Sequence, residues 1–278
     1  MGFWLYLIKI LQTGFAKAPT PYGLFHIISL ILTITLTAMV CVYHRKDSPE
    51  KVRRTVLIVS LVVVGLEILK QIIYTVEFTE SGVVWDYAWY AFPFQFCSTP
   101  MYVGVLQGLI KKGKVHDSLC AYLATYAVFA GLCVMLYPGD VFISTIFICV
   151  QTMVCHGSML PVGAYLMSSG HVKTEHKTIL KAMCTFAVAI VTAILLNEVM
   201  YASGILNGET FNMFFISRHF ESTLPVYSLI HNSVPFPVNI IIYFLGFTLA
   251  AYVILLIAMR IKKLAKKTSK EKVENVNR

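Results

Sequence analysis

Seven long apolar stretches constrain this sequence more than any other feature. Each is close to the ~20 residues that an α-helix needs to cross the hydrocarbon core of a membrane. The stretches cover residues 23–43, 55–75, 90–110, 119–136, 142–167, 180–200 and 236–260. Because 57% of the 278 residues are apolar and only 13% are charged, a water-soluble fold could not easily bury so much apolar surface. The sequence therefore predicts an all-α membrane protein, a bundle of seven transmembrane helices.

The positive charges alternate between successive connections of this bundle. Of the 23 Lys and Arg residues, 19 lie in alternate connections and in the tail: five in 44–54, three in 111–114, three in 173–181 and eight from 260 onward. The other connections carry only Arg218. Short loops rich in Lys and Arg stay on the cytoplasmic side. The pattern predicts a cytoplasmic C-terminus and an N-terminus outside, and it explains the net charge of +9 without a nucleic-acid partner.

The chain is interpreted as a single polytopic domain with two short flanking segments. Residues 1–18 are predicted to be an amphipathic interfacial segment, because they lack the basic n-region of a signal peptide. Residues 23–260 form the bundle, and residues 261–278 form a basic cytoplasmic tail. The connection 201–235 is too apolar for a free loop and too interrupted to span, so we expect it to pack over the outer mouth of the bundle.

Cys97 and His156 are predicted to lie at matching depth in the membrane. Cys97 precedes the basic stop at Lys111 by 14 residues, and His156 precedes the polar break at Ser169 by 13. At 1.5 Å per residue, both fall roughly 20 Å from the same face. Alone, a membrane cysteine is more often an apolar filler and a membrane histidine more often an interhelical hydrogen-bonding group. Together they match a thiol nucleophile and the base that activates it.

Other polar residues within the spans are weaker candidates. A charge at the centre of a helix costs roughly 2.5 to 3.5 kcal/mol on insertion scales, so Glu67 should face the interior of the bundle. Lys70, three residues on, is placed to pair with it. His26 joins this group from the first span. The seven cysteines are scattered without C-x-x-C spacing, so we expect no disulfide framework; no metal or diffusible cofactor is expected either.

Several short stretches carry a resemblance to a known family. They are Phe25 to Ile28, Leu66 to Ile68, Pro93 to Cys97, His156, Asn212 to Phe214 and Pro235 to Pro237. In these the chain resembles the YwaF-type bacterial membrane proteins, which are similar in turn to the vertebrate transmembrane protein 164 acyltransferases. The resemblance implies a cysteine nucleophile at Cys97, a histidine base at His156 and a location in the bacterial plasma membrane. The family pattern has a histidine two residues before the cysteine, where this chain has Gln95.

These observations favour a membrane-embedded acyltransferase. It would move a fatty acyl group to or between glycerolipids through a thioester on Cys97, with membrane phospholipid or lysophospholipid as its partner. Glu67 or His26 would orient His156, Gln95 would orient a substrate, and Asn212 or main chain freed near Pro100 would hold the oxyanion. The alternatives are a proton-coupled transporter or ligand-binding membrane protein that uses Glu67, His26 and His156, and a structural or regulatory membrane protein.

Overall fold

The fold is almost entirely helical. The computed structural model describes residues 2–139, 141–231 and 233–276. Ten α-helices and one hairpin follow each other along this part of the chain: α1 Phe3–Leu11, α2 Leu24–Tyr43, α3 Pro49–Ile73, β1 Val76–Thr79, β2 Gly82–Trp85, α4 Thr99–Leu109, α5 Lys114–Ala124, α6 Tyr126–Leu136, α7 Ile146–Ser168, α8 Lys177–Ser203, α9 Ser228–His231 and α10 Phe236–Val276. Two single-turn 3₁₀ helices, Trp89–Ala91 and Met213–Phe215, lie in the connections.

Six helices in the described chain, rather than the seven predicted, are long and apolar enough to cross a membrane. They are Leu24–Tyr43, Pro49–Ile73, Lys114–Leu136, Ile146–Ser168, Lys177–Ser203 and Phe236–Thr268. The third of them consists of α5 and α6, which meet at a kink at Thr125. A multi-pass membrane protein is therefore confirmed. The outside and cytoplasmic placement of the two termini stays a prediction.

The predicted span at 90–110 is the one that does not form a continuous helix. Phe92 ends the first 3₁₀ turn with ψ at 131°, because a residue that precedes proline is pushed out of the helical region. Irregular backbone follows until α4 begins at Thr99, with Pro100 in its first turn. Proline is tolerated there because the N–H that it lacks would have no partner inside the helix. Pro100 therefore starts a helix instead of breaking one.

Helix α7 lies at the centre of the bundle and packs against α2, α3, α5 and α6. The approach of α6 is close at Gly131, where a Cβ atom would lie 2.7 Å from the main-chain oxygen of His156. Glycine is required there because this contact is with main chain, which cannot move aside as a flexible side chain would. The height and rotation of His156 are thus set by contact between helix backbones.

The connection after α8 folds back into the protein. Phe211, Met213, Phe214 and Ile216 are fully buried, which agrees with the expectation that 201–235 packs on the bundle. We call residues 211–217 the roof segment. Aromatic rings join it to the core: Phe214 lies 5.9 Å from Phe96, between ring centroids. At the other end of the chain, α1 has no buried residue, and its interfacial role stays a prediction.

Candidate functional site

Cys97 lies in the irregular backbone directly before α4. The chain turns sharply there, because the amides of Ser98 and Thr99 both donate to the carbonyl of Gln95, at 2.9 and 3.0 Å. The thiol is partly buried against the core. A helix N-terminus carries partial positive charge and stabilises a nearby anion, and such positions are typical of reactive cysteines. The position therefore suits a thiolate better than the middle of an apolar helix does.

His156 is buried on α7, and its own helix fixes its orientation. The ring Nδ1 lies 2.7 Å from the carbonyl oxygen of Thr152. Because a carbonyl only accepts, Nδ1 must carry the proton and donate it. In the neutral imidazole, Nε2 then holds the lone pair. Nε2 is buried without a hydrogen-bond partner of regular geometry in the described chain.

The structure brings Cys97 and His156 together. The two side chains interact electrostatically and lie close enough for a hydrogen bond between thiol and imidazole. The thiol and Nε2 are in loose contact and do not form a hydrogen bond. Contacts of this kind commonly tighten when a substrate binds. The arrangement lets a basic nitrogen accept the proton of a thiol.

Glu67 is buried on α3, as predicted, but it belongs to a neighbouring polar network. Its two oxygens accept hydrogen bonds from Gln71 at 2.6 Å and from Gln151 at 2.7 Å. Lys70 lies 3.0 Å from the same carboxylate and also interacts electrostatically with Cys97. The Nδ1 proton of His156 is donated to the carbonyl of Thr152, so Glu67 does not hydrogen-bond that nitrogen, and its carboxylate is the counterion of Lys70. A supporting role of Glu67 at the site stays a prediction.

His26 bonds to main chain through both of its ring nitrogens. Its Nδ1 accepts from the main-chain amide of Tyr22 at 2.9 Å, and its Nε2 donates to the carbonyl of Met135 at 2.8 Å. The ring is fully buried and both nitrogens are engaged. His26 therefore ties the start of α2 to the end of α6, and a supporting role of His26 at the site stays a prediction.

Gln95 and Asn212 connect the cysteine segment to the roof segment. The amide of Gln95 donates to the carbonyl of Asn212 at 3.0 Å and accepts from the amide of Phe214 at 2.9 Å. Asn212 donates to the carbonyl of Glu221 at 3.0 Å and accepts from the amide of Ser217 at 2.8 Å. Both side chains hold main chain in place around the site. A contact of either one with substrate stays a prediction.

Two cavities approach these residues from the surface of the bundle. An apolar groove of about 490 Å³ runs between α2, α3 and α7 and is lined by Met153 and Gly157, which flank His156 along the helix. A second cleft, of about 350 Å³, is lined by Glu67, Pro93 and Met101. Across the described residues, no three His, Cys, Asp or Glu side chains are grouped as ligands of a metal ion.

Comparison with known proteins supplies the family. The model of the TMEM164 family matches residues 21–259, nearly the whole chain. The chain belongs to the TMEM164 family. No curated protein and no solved structure matches it. In this TMEM164 family member, the matched region holds every site residue described above and leaves out α1 and the basic tail.

One partner at the site was visible from the sequence and one was not. Thr152 lies one helical turn before His156 on the same face, and its main-chain carbonyl fixes the imidazole. Gln151 reaches Glu67 from the neighbouring helix. Nothing in the sequence pairs these two positions, because the contact depends on how α3 and α7 pack.

Proposed function

We propose that this TMEM164 family protein is a membrane-embedded acyltransferase that uses Cys97 as nucleophile and His156 as base. One observation carries the proposal. The Nδ1–H of His156 donates a hydrogen bond to the carbonyl of Thr152, so the unprotonated Nε2 is the nitrogen available to the thiol of Cys97. A buried imidazole with a fixed tautomer and a thiol partner is the arrangement that cysteine acyl transfer needs.

In the first half of the reaction, an ester of a glycerolipid donates the acyl group. His156 Nε2 takes the thiol proton, and the thiolate attacks the ester carbonyl. The new C–S bond forms, the C–O bond to glycerol breaks, and the imidazolium returns its proton to the leaving alkoxide. The products are a thioester on Cys97 and a lysolipid.

In the second half, a lipid hydroxyl accepts the acyl group. His156 takes the proton of that hydroxyl, whose oxygen attacks the thioester carbonyl. The C–S bond breaks, and the thiolate regains the proton from the imidazolium. Atoms and charges balance over the cycle with no further reagent, and the enzyme returns to its starting state.

Substrates of this kind fit the surroundings of the pair. The groove along α2, α3 and α7 is lined mainly by Val, Leu, Ile and Phe, and we assign it to an acyl chain of a phospholipid or lysophospholipid within the bilayer. Lys70 interacts electrostatically with the thiol, and we assign its ammonium group to the phosphate of the lipid. On the resemblance to the YwaF-type proteins, we place the enzyme in the bacterial plasma membrane.

The test compares the acyl composition of glycerolipids in cells that express wild type, Cys97→Ser, His156→Gln and Glu67→Gln at equal membrane levels. Wild type should alter the composition, and both Cys97→Ser and His156→Gln should abolish the change. The glutamine at 156 keeps an amide for interhelical bonding, while loss of a general base lowers the rate by ~10²- to 10⁴-fold. Glu67→Gln should retain more activity, since Glu67 does not bond the imidazole.

A transporter makes the opposite prediction for the same variants. Removing the charge of Glu67 would then abolish function, and Cys97→Ser would be nearly silent. An altered lipid profile that persists in both the Cys97 and the His156 variants would rule out the thioester mechanism.

A further inference from the structure

Two buried tyrosine hydroxyls near the site have no partner. Tyr122 on α5 and Tyr243 on α10 are 0% and 1% exposed, and within the described chain neither hydroxyl makes a hydrogen bond. A buried hydroxyl left without a partner is costly, and native proteins rarely keep one without a reason. Tyr126, one helical turn from Tyr122, shows the usual solution: its hydroxyl pairs with Thr248 at 2.7 Å.

Both of these hydroxyls lie within electrostatic range of Cys97. Tyr122 and Tyr243 each interact with the thiol, and they also interact with each other. Neither is hydrogen-bonded to it. Cys97 packs against the core cluster that contains both tyrosines, and both O–H groups are left without a hydrogen-bond partner in the described chain.

Aromatic packing fixes the positions of the two rings. Tyr243 stacks on Phe247 at 4.3 Å, and Phe247 lies 4.8 Å from Phe96, the residue before Cys97.

The ring of Tyr122 is held in the same way. Tyr122 stacks on Tyr126 at 5.4 Å, and Tyr126 lies 4.4 Å from Phe186. Phe186 in turn lies 5.6 Å from Phe96. Rings held on several sides place their hydroxyls with little freedom, as preorganised donors require.

We infer that the hydroxyls of Tyr122 and Tyr243 are the oxyanion donors of the site, which hydrogen-bond the carbonyl oxygen of the acyl group as Cys97 attacks it. This inference rests on the proposed acyl transfer. It replaces the assignment of the oxyanion to Asn212, whose amide nitrogen donates to the carbonyl of Glu221. The ligand of the two hydroxyls is thus an ester or thioester carbonyl, which becomes an oxyanion when the C–S bond forms.

The test measures the initial rate at which Cys97 acquires a hydroxylamine-labile label from a phospholipid with an alkyne-tagged acyl chain. Membranes contain wild type, Tyr122→Phe, Tyr243→Phe or the control Tyr126→Phe at equal levels. Loss of one oxyanion donor lowers such rates by ~10²- to 10³-fold, so the first two variants should label that much more slowly. Their thermal stability should equal or exceed that of wild type, because the lost hydroxyl had no partner.

The control separates this role from a structural one. Tyr126→Phe loses its bond to Thr248, so it should lower the melting temperature and leave the labelling rate near that of wild type. Labelling of Tyr122→Phe and Tyr243→Phe at the wild-type rate overturns the inference alone and leaves acyl transfer standing. Failure of either variant to fold also overturns it, because its hydroxyl would then have a structural partner. An unlabelled wild type removes both this inference and the proposed function.

Discussion

At the scale of single residues, the chemistry of this protein depends on which partner each polar atom has. His156 is the proposed base because a main-chain carbonyl holds its Nδ1 proton and leaves Nε2 unprotonated, whereas both nitrogens of His26 are engaged by main chain. The same histidine side chain thus has two roles, set by its hydrogen bonds. The sequence could predict that His156 and Cys97 lie at one depth, since helical rise is regular. It could not reveal the partner of each nitrogen, which depends on tertiary packing.

The carboxylate of Asp47, in the connection between α2 and α3, should make the stability of the protein depend on pH. The hydroxyl of Tyr165 donates to its carboxylate at 2.7 Å, and chiefly for that reason the pKa of Asp47 falls from 3.8 to about 2. A lowered folded-state pKa stabilises the fold above the unfolded pKa, and that stability is lost as the pH falls through the folded pKa. The melting temperature in detergent should therefore drop between pH 4 and pH 2.

The matched variants for this prediction are Asp47→Asn and Tyr165→Phe. Asp47→Asn has no carboxyl group to protonate at position 47, and Tyr165→Phe removes the main cause of the pKa shift. Both should show a shallower drop over the same pH range. If the melting temperature of both variants falls with pH as steeply as that of wild type, the lowered pKa of Asp47 does not stabilise the fold.

At the scale of elements, the segment before α4 and the helix α7 define the site. The prolines at 93 and 100 were visible in the sequence, yet hydropathy alone predicted one continuous span, because it measures apolar content and not backbone geometry. The actual break places Cys97 directly before the N-terminus of α4. Irregular backbone at membrane depth is tolerated only where protein or a cavity covers it, and here Gln95 and the roof segment cover it.

Gly131 provides a test of how α6 positions α7. A Cβ atom there would lie 2.7 Å from the His156 oxygen and 2.8 Å from the Met159 Cβ, so Gly131→Ala must push the two helices apart. Overpacking of this kind costs about 1 to 3 kcal/mol. Gly131→Ala should lower both the melting temperature and the labelling of Cys97, because His156 moves with its backbone.

Gly65 on α3 is the control for that substitution. A Cβ atom there would meet nothing within 4 Å, so Gly65→Ala should be neutral or stabilise the protein by up to about 1 kcal/mol through helix propensity. If Gly131→Ala behaves like Gly65→Ala in both assays, the close approach of α6 does not control the site.

At the scale of the whole molecule, the class of fold was readable from the sequence and the number of helices was not. Long apolar runs specify membrane helices because lipid leaves few other ways to satisfy the backbone. Six such helices are present in the described chain, together with the broken segment that ends in α4. Sequence patterns could not separate a full span from a half-helix behind irregular backbone. That difference decides where Cys97, the proposed nucleophile, lies.

The alternation of basic loops predicts the orientation of the whole bundle. A reporter fused after Lys272 should behave as cytoplasmic, and one inserted near Asn207 as external, because Lys- and Arg-rich loops stay inside. This pair tests whether α10 crosses the membrane and which face of the bundle is cytoplasmic. Both reporters on the same side would remove the predicted topology.

The chemical state of Cys97 tests the proposed thioester mechanism most sharply. Membranes that contain the protein would be supplied with a phospholipid whose acyl chain carries an alkyne, and mass spectrometry would locate the adduct on the digested protein. We expect an acyl thioester on Cys97 that hydroxylamine releases. The His156→Gln variant should form this thioester far more slowly, and the Cys97→Ala variant should not form it at all. Labelling that persists unchanged in Cys97→Ala, or an adduct that resists hydroxylamine, would contradict the mechanism.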